Sequence, residues 1–151
     1  MDAVDIKIIE CLKANSRENA SVIGNKVNMS VSAVIERIKK LEASGIIKQY
    51  TAVLNKEMLG MDLTAFVFVN LEHPKFCGVF SEFVGRHPQI VECHSITGEH
   101  TYVLKACVEN AKGLEKLLTQ VSSVSGVVST ETQIVLSTEK EVYSPEISDE
   151  I

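Results

Sequence analysis

The chain has 151 residues, 45% hydrophobic and 23% charged, which excludes a disordered chain and leaves room for one packed domain or two small ones. No apolar run approaches the roughly 18 residues of a spanning helix, and the acidic opening 1–5 lacks a secretory-leader pattern, so a cytoplasmic protein with no membrane partner is expected. The net charge of −5 speaks against a DNA binder until the chain is divided: residues 1–60 hold nine Lys/Arg and seven Asp/Glu (+2), and residues 61–151 hold six and thirteen (−7). Any contact with phosphates therefore belongs to the first part, where Arg37, Lys39, Lys40 and Lys48 cluster.

A first helix is expected from Asp2 onward, with Val4, Ile8, Ile9 and Leu12 as its apolar stripe and Asp2 and Asp5 complementing the dipole at its start. The run 15–19 breaks it, and Asn19 can cap a short second helix over 21–27. Asn28 tolerates the left-handed backbone of a tight turn, and Ser30 is a good N-cap for a third helix. In that helix Val34, Ile38 and Leu41 face a core, while Ser32, Ala33, Glu36, Arg37, Lys39 and Lys40 occupy the other faces. Two short helices, a tight turn and a basic outer face make a helix-turn-helix whose second helix would lie in a DNA major groove. Gly45 supplies the positive φ that ends the third helix.

Residues 46–54 alternate apolar and β-branched types and read as a strand, followed by a hinge to residue 62. The remainder reads as strand 63–71, helix 75–86, strand 90–97, strand 101–108, a helix capped by Asn110, and strand 127–136. Phe76, Val79, Phe80, Phe83 and Val84 stripe the first of these helices; Leu114, Leu117, Leu118 and Val121 stripe the second. The order βαββαβ is a ferredoxin-like sandwich, so the fold class is α+β. Phe66, Phe68, Val91, Val103, Ile134 and Leu136 exceed the apolar residues one sheet face needs, so the uncovered face should bury against a second copy. The domains are then 1–45, a strand and hinge over 46–62, 63–138, and a loose acidic tail over 139–151.

The chemistry-bearing residues exclude several classes. Cys11, Cys77, Cys93 and Cys107 form no C-x-x-C pair and read as reduced, mostly buried small hydrophobes. His73 and His87 precede prolines, and Cys93 and His94 point to opposite faces of a strand, so no metal site is expected. No nucleophile elbow or phosphate loop supports catalysis, and no cofactor is implied.

With both parts placed, the chain resembles the leucine-responsive regulatory protein / asparagine-synthesis regulator (Lrp/AsnC) family of prokaryotic transcription regulators. The resemblance rests on Asp2-Ala-Val-Asp5-Ile-Lys-Ile-Ile-Glu-Cys-Leu12, on Met29 through Tyr50, on Ile96-Thr-Gly98-Glu-His-Thr-Tyr102-Val-Leu104, and on the run from Gly126 to Leu136. It implies a winged-type helix-turn-helix joined by a strand-bearing hinge to an amino-acid-sensing domain. It also implies a nucleoid-associated protein that binds double-stranded DNA as a dimer, tetramer or octamer. A small amino acid would bind between C-terminal domains.

DNA contacts would then come from Ser30, Ser32, Ala33, Glu36, Arg37, Lys39 and Lys40. The effector would meet Gly98, Glu99, His100, Thr101 and Tyr102, with Thr130, Thr132 and Gln133 as a polar wall. Thr101 stands where many amino-acid-responsive members carry Asp, whose carboxylate would help hold a ligand's ammonium group. Asn28 stands where Gly is usual, and Gly24 where Ala is usual; Gly24 costs roughly 1 kcal/mol of helix propensity but lets helices approach closely. The runner-up function is an effector-independent, DNA-wrapping architectural protein of the same family. An enzyme on the ferredoxin-like half lacks a catalytic constellation.

Overall fold

The computed structural model describes residues 1–147 and divides into two units, Met1–Val53 with Val142–Ile151, and Leu54–Glu141. In the first unit α1 (Ala3–Ala14), α2 (Ala20–Val27) and α3 (Val31–Ala43) close on Ile8, Ile9, Ile23, Val34 and Leu41. Asp2 caps α1 through a capping box: its side chain accepts from the Val4 and Asp5 N–H groups, and Asp5 accepts from the Asp2 N–H. Asn19 occupies the N-cap of α2 without the expected side-chain bond; its backbone carbonyl takes the Val22 and Ile23 N–H groups instead. Gly45 has φ 77° and its N–H donates to the Glu42 carbonyl, while the Ile47 N–H donates to the Leu41 carbonyl. Together they close the end of α3.

No strand forms over 46–54, where one was expected. A strand needs a partner ladder, and among the described residues no other segment of the chain pairs with this one. Ile46, Val53 and Leu54 are exposed, and Tyr50 reaches back to Glu42, its hydroxyl donating at 3.0 Å.

The second unit holds β1 (Leu63–Leu71), α4 (Cys77–Arg86), β2 (Ile90–Ser95), β3 (Tyr102–Val108), α5 (Ala111–Ser122) and β4 (Val127–Ile134). The four strands form one antiparallel sheet in the order β2-β3-β1-β4, the ferredoxin-like arrangement. Ala65, Val67, Val69, Leu104, Ala106 and Val108 face Phe80 of α4 and Leu114, Leu117 and Val121 of α5. Val79, expected in the α4 stripe, is half exposed; the stripe narrows to Phe80, Phe83 and Val84.

Opposed residues in an antiparallel ladder share a face. Phe66 pairs with Lys105 and Gln133, and Phe68 with Val103 and Glu131, so these side chains lie on the face without helices. Ile134, opposite Ala65, belongs to the helix side, Val91 sits at the β2 bulge, and Leu136 lies beyond the strand and is exposed. The open face is thus a mixed surface rather than an apolar one.

The last described residues correct the expectation of a loose tail. Lys13 Nζ donates to the Pro145 carbonyl at 3.2 Å, and Ile147 packs against the helical core. The rest of the expected tail, 148–151, lies outside the described residues. Among the described residues no helix is long and apolar enough to cross a membrane, and no cluster of His, Cys, Asp or Glu could hold a metal.

Candidate DNA-reading helix and effector turn

The approach of α2 to α3 is set by three residues. Asn28 is left-handed at φ 54°, the Met29 N–H donates to the Gly24 carbonyl, and Ser30 Oγ accepts from the Ala33 N–H at 3.3 Å. Gly24 is buried, and a Cβ there would stand 2.6 Å from the Met29 carbonyl oxygen. The helix-propensity cost of that glycine is therefore the condition for a tight turn.

On α3 the sequence-expected contact residues separate into two groups. Ala33, Glu36, Arg37 and Lys40 border a groove closed by Met1, Asp5 and Met29. Within it Arg37 Nη1 binds Asp2 at 2.8 Å and Asp5 at 2.7 Å. The Asp5 N–H and Arg37 hold the Asp2 carboxyl below the ordinary aspartate value, and the two carboxylates raise the guanidinium. Arg37 is thus engaged by the start of α1 rather than presented freely to a phosphate. Lys40 pairs with Glu36 at 2.7 Å, and that hydrogen bond depresses the Glu36 carboxyl; both side chains stay largely exposed. The second group, Ser32 and Lys39, is open to solvent, with Ser32 sharing a hydroxyl–hydroxyl bond with Ser30. Beside it lie Val31 and Ile35, 45% and 41% exposed, which the sequence reading passed over.

The β2–β3 turn is locked by its neighbours. Gly98 has φ 107°, which only glycine adopts cheaply. The Thr101 N–H donates to the Val69 carbonyl and to Asn70 Oδ1, while Thr101 Oγ1 accepts from the Leu71 N–H at 3.2 Å. Because Asn70 Oδ1 is an acceptor there, its amide nitrogen donates to Ser129 and to His100 Nδ1 at 3.3 Å. His100 Nε2 lies 3.5 Å from Glu131, and its ring packs tilted against Phe68 with centroids 5.1 Å apart.

Not all of the expected effector residues come together. His100 and Gln133 belong to the open face. Tyr102 is on the helix side, stacked on Phe80 at 5.0 Å, and the Cys77 thiol at its hydroxyl raises the phenol. Thr130 and Thr132, opposite Val69 and Val67, also face the helices. Glu99 is exposed. Asn70, Phe68 and Glu131 complete the surroundings of His100. Asn70, a polar residue following the apolar run 65–69, was the signal available in the sequence.

Residues 1–42 match the AsnC-type helix-turn-helix domain model, and residues 64–145 match the Lrp/AsnC ligand binding domain model. The chain belongs to the Lrp/AsnC family. It is 38% identical over 141 residues to the HTH-type transcriptional regulator FL11 of Pyrococcus furiosus, covering 93% of each chain. It is 35% identical to the leucine-responsive regulatory protein of Haemophilus influenzae, covering 93% of this chain and 87% of that one. A crystal structure of a Neisseria meningitidis transcriptional regulator in complex with L-Met superposes with a TM-score of 0.91 at 30% identity, over 96% of each chain.

As an Lrp/AsnC member the protein is a DNA-binding transcription regulator, and the relatives that place it there are regulators rather than enzymes. Its two family domains correspond to the helical unit and the sheet unit.

Proposed function

We propose that this regulator reads specific DNA half-sites with α3 and that a small amino acid, bound at the 98–102 turn, shifts its assembly. Ser30, Ser32, Ala33, Glu36, Lys39 and Lys40 supply the contacts, and Arg37 acts by holding α3 against the start of α1. The observation that carries the DNA reading is the exposed face of α3 behind a left-handed Asn28 turn, in a chain of this family. Copies pair through the open sheet face, where Phe66, Phe68 and Val103 lie, and pairs combine into tetramers or octamers. Pairing sets two copies of α3 against successive major grooves, so the site is close to palindromic. Several weakly basic heads on one duplex then gain affinity by avidity.

The effector reading is supported by the ligand-binding domain model and by the L-Met complex of the Neisseria protein. Backbone groups of 98–101, with His100 and Glu131 beside them, offer both signs of partial charge to an α-amino acid. One observation favours the second reading, an effector-independent architectural protein: Thr101 brings no carboxylate to the turn, and its hydroxyl is already occupied by the Leu71 N–H.

Light scattering and calorimetry with each of the twenty amino acids separate the two readings. Heat and a change of assembly size with one amino acid support the sensor. No heat from any of them, with footprints spanning many helical turns regardless of sequence, establishes the architectural protein. The DNA reading itself requires duplex binding that weakens steeply with salt, as released counterions demand.

A further inference from the structure

The side of α3 that carries Val31 and Ile35 has no explanation in the packing of the helical unit. Val34 and Leu41 are fully or almost fully buried, and Ile38 packs against the same core. Ala33, Glu36, Arg37 and Lys40 line the groove toward α1. Val31, Ile35 and Lys39 follow at helical spacing on the remaining side, with Ser32 beside them. Val31 and Ile35 are 45% and 41% exposed. Branched residues lower helix propensity, so an exposed pair on a solvent face gains nothing from the helix itself.

The charged residues restrict what α3 can read. The commonest specific base contact is a two-pronged bond from Arg to guanine. Arg37, the one arginine in α3, holds Asp2 and Asp5 at 2.8 and 2.7 Å. Glu36, an acceptor suited to cytosine, pairs with Lys40 in an exposed contact that DNA can displace. What remains near the start of the helix is two rigid apolar side chains and the Ser32 hydroxyl. The thymine C5 methyl is the apolar group that base edges display in the major groove. Lys39, with no ion pair among the described residues, lies exposed one turn on from Ile35.

We infer that Val31 and Ile35 pack against thymine methyl groups and thereby set the base preference of this helix. The inference rests on the DNA-binding reading and deepens it. Both residues have few accessible χ1 states, so little side-chain entropy is lost when the methyls meet them. A buried methyl changes binding by about fourfold. Two such contacts per half-site, doubled by pairing of copies, discriminate strongly without any guanine-reading arginine.

The test uses the full-length protein and synthetic duplexes. A site is first selected from a randomised pool. Each thymine in it is then replaced singly by deoxyuridine, which removes only the methyl group. Threefold to tenfold weaker binding is expected at one or two thymines per half-site. Ile35→Ala and Val31→Ala should each weaken binding to the parent site by a similar factor and abolish the deoxyuridine effect at one of those positions. Because both residues are exposed, their melting temperatures should stay at the parent value.

The inference is overturned if the protein binds the selected site and every deoxyuridine duplex within twofold. It is also overturned if Ile35→Ala alters assembly size in light scattering while the deoxyuridine pattern is unchanged, which would make the pair a protein contact. Failure to bind any duplex even at low salt overturns the DNA reading itself, and this inference with it.

Discussion

The two units are built on different scales. Among the described residues the hydrophobic core of the helical unit has five buried side chains, whereas that of the sheet unit has ten, Phe80 and Leu117 among them. A small core leaves little margin, and the helical unit supplements it with the Arg37–Asp2–Asp5 cluster and with Pro145 and Ile147 from the far end of the chain. The sheet unit has no such need, and its polar network at Asn70, His100 and Thr101 instead shapes a turn. The unit that carries the helix-turn-helix thus adds specific polar contacts to a small core, and the sheet unit is held mainly by burial.

Core substitutions break the comparison most sharply. Phe80→Ala should cost about 3–5 kcal/mol and Ile23→Ala about 2–5 kcal/mol. Scanning calorimetry should show the first lowering the transition of the sheet unit and the second that of the helical unit alone. A single transition moved equally by either would mean that the units do not differ in this way. Gly24→Ala should destabilise the helical unit by about 1–3 kcal/mol, because the new Cβ meets a backbone carbonyl, despite about 1 kcal/mol of improved propensity.

Arg37 sharpens the comparison through DNA affinity. Arg37→Ala should weaken binding roughly tenfold, which is about 1.4 kcal/mol, and Arg37→Lys should not restore it, since one ammonium cannot reproduce the guanidinium geometry. Asp5→Asn separates the two roles open to this arginine. A positioning role predicts weaker binding, while a phosphate ligand masked by Asp5 predicts tighter binding in a gel-shift titration. Ile147→Ala should lower the helical transition by about 1 kcal/mol or less and leave the sheet unit untouched.

The smallest effects are those of pH. Partial desolvation, then the bond to Glu42, pushes the phenol of the half-exposed Tyr50 from 10.0 up to about 12. A group raised by folding contributes fully below its unfolded value, so this contribution is intact below pH 10 and fades toward pH 12. The ultraviolet titration of tyrosinate should reveal the late phenol, and Tyr50→Phe should remove it. Asp2 is shifted the other way, downward from 3.8 by the Asp5 N–H and Arg37. Its contribution is present above that pH and lost as pH falls below it, so Asp2→Asn should flatten the acid limb of the helical transition.

Much of this architecture was legible because local rules and global packing agree. Ser30 and Asn110 cap the helices expected of them, α1 starts at Asp2 as expected, Asn28 and Gly45 take positive φ, and the period-two runs of β1 and β3 are strands. The 46–54 run misled because alternation records a willingness to pair and not the presence of a partner. Val79 misled because helical spacing does not say how wide a stripe the neighbouring sheet will cover. The tail misled because composition cannot register one isoleucine finding a core.

The candidate sites were less legible than the fold. Positions on α3 and in the 98–102 turn follow from turn chemistry and motif order, since those are short-range properties of the chain. That Arg37 turns to Asp2 and Asp5 across 35 and 32 residues, that Tyr102 and His100 take opposite faces, and that Val31 and Ile35 are left uncovered are long-range outcomes. They arise from which surfaces meet after the elements have formed, and no local pattern of residues encodes that meeting.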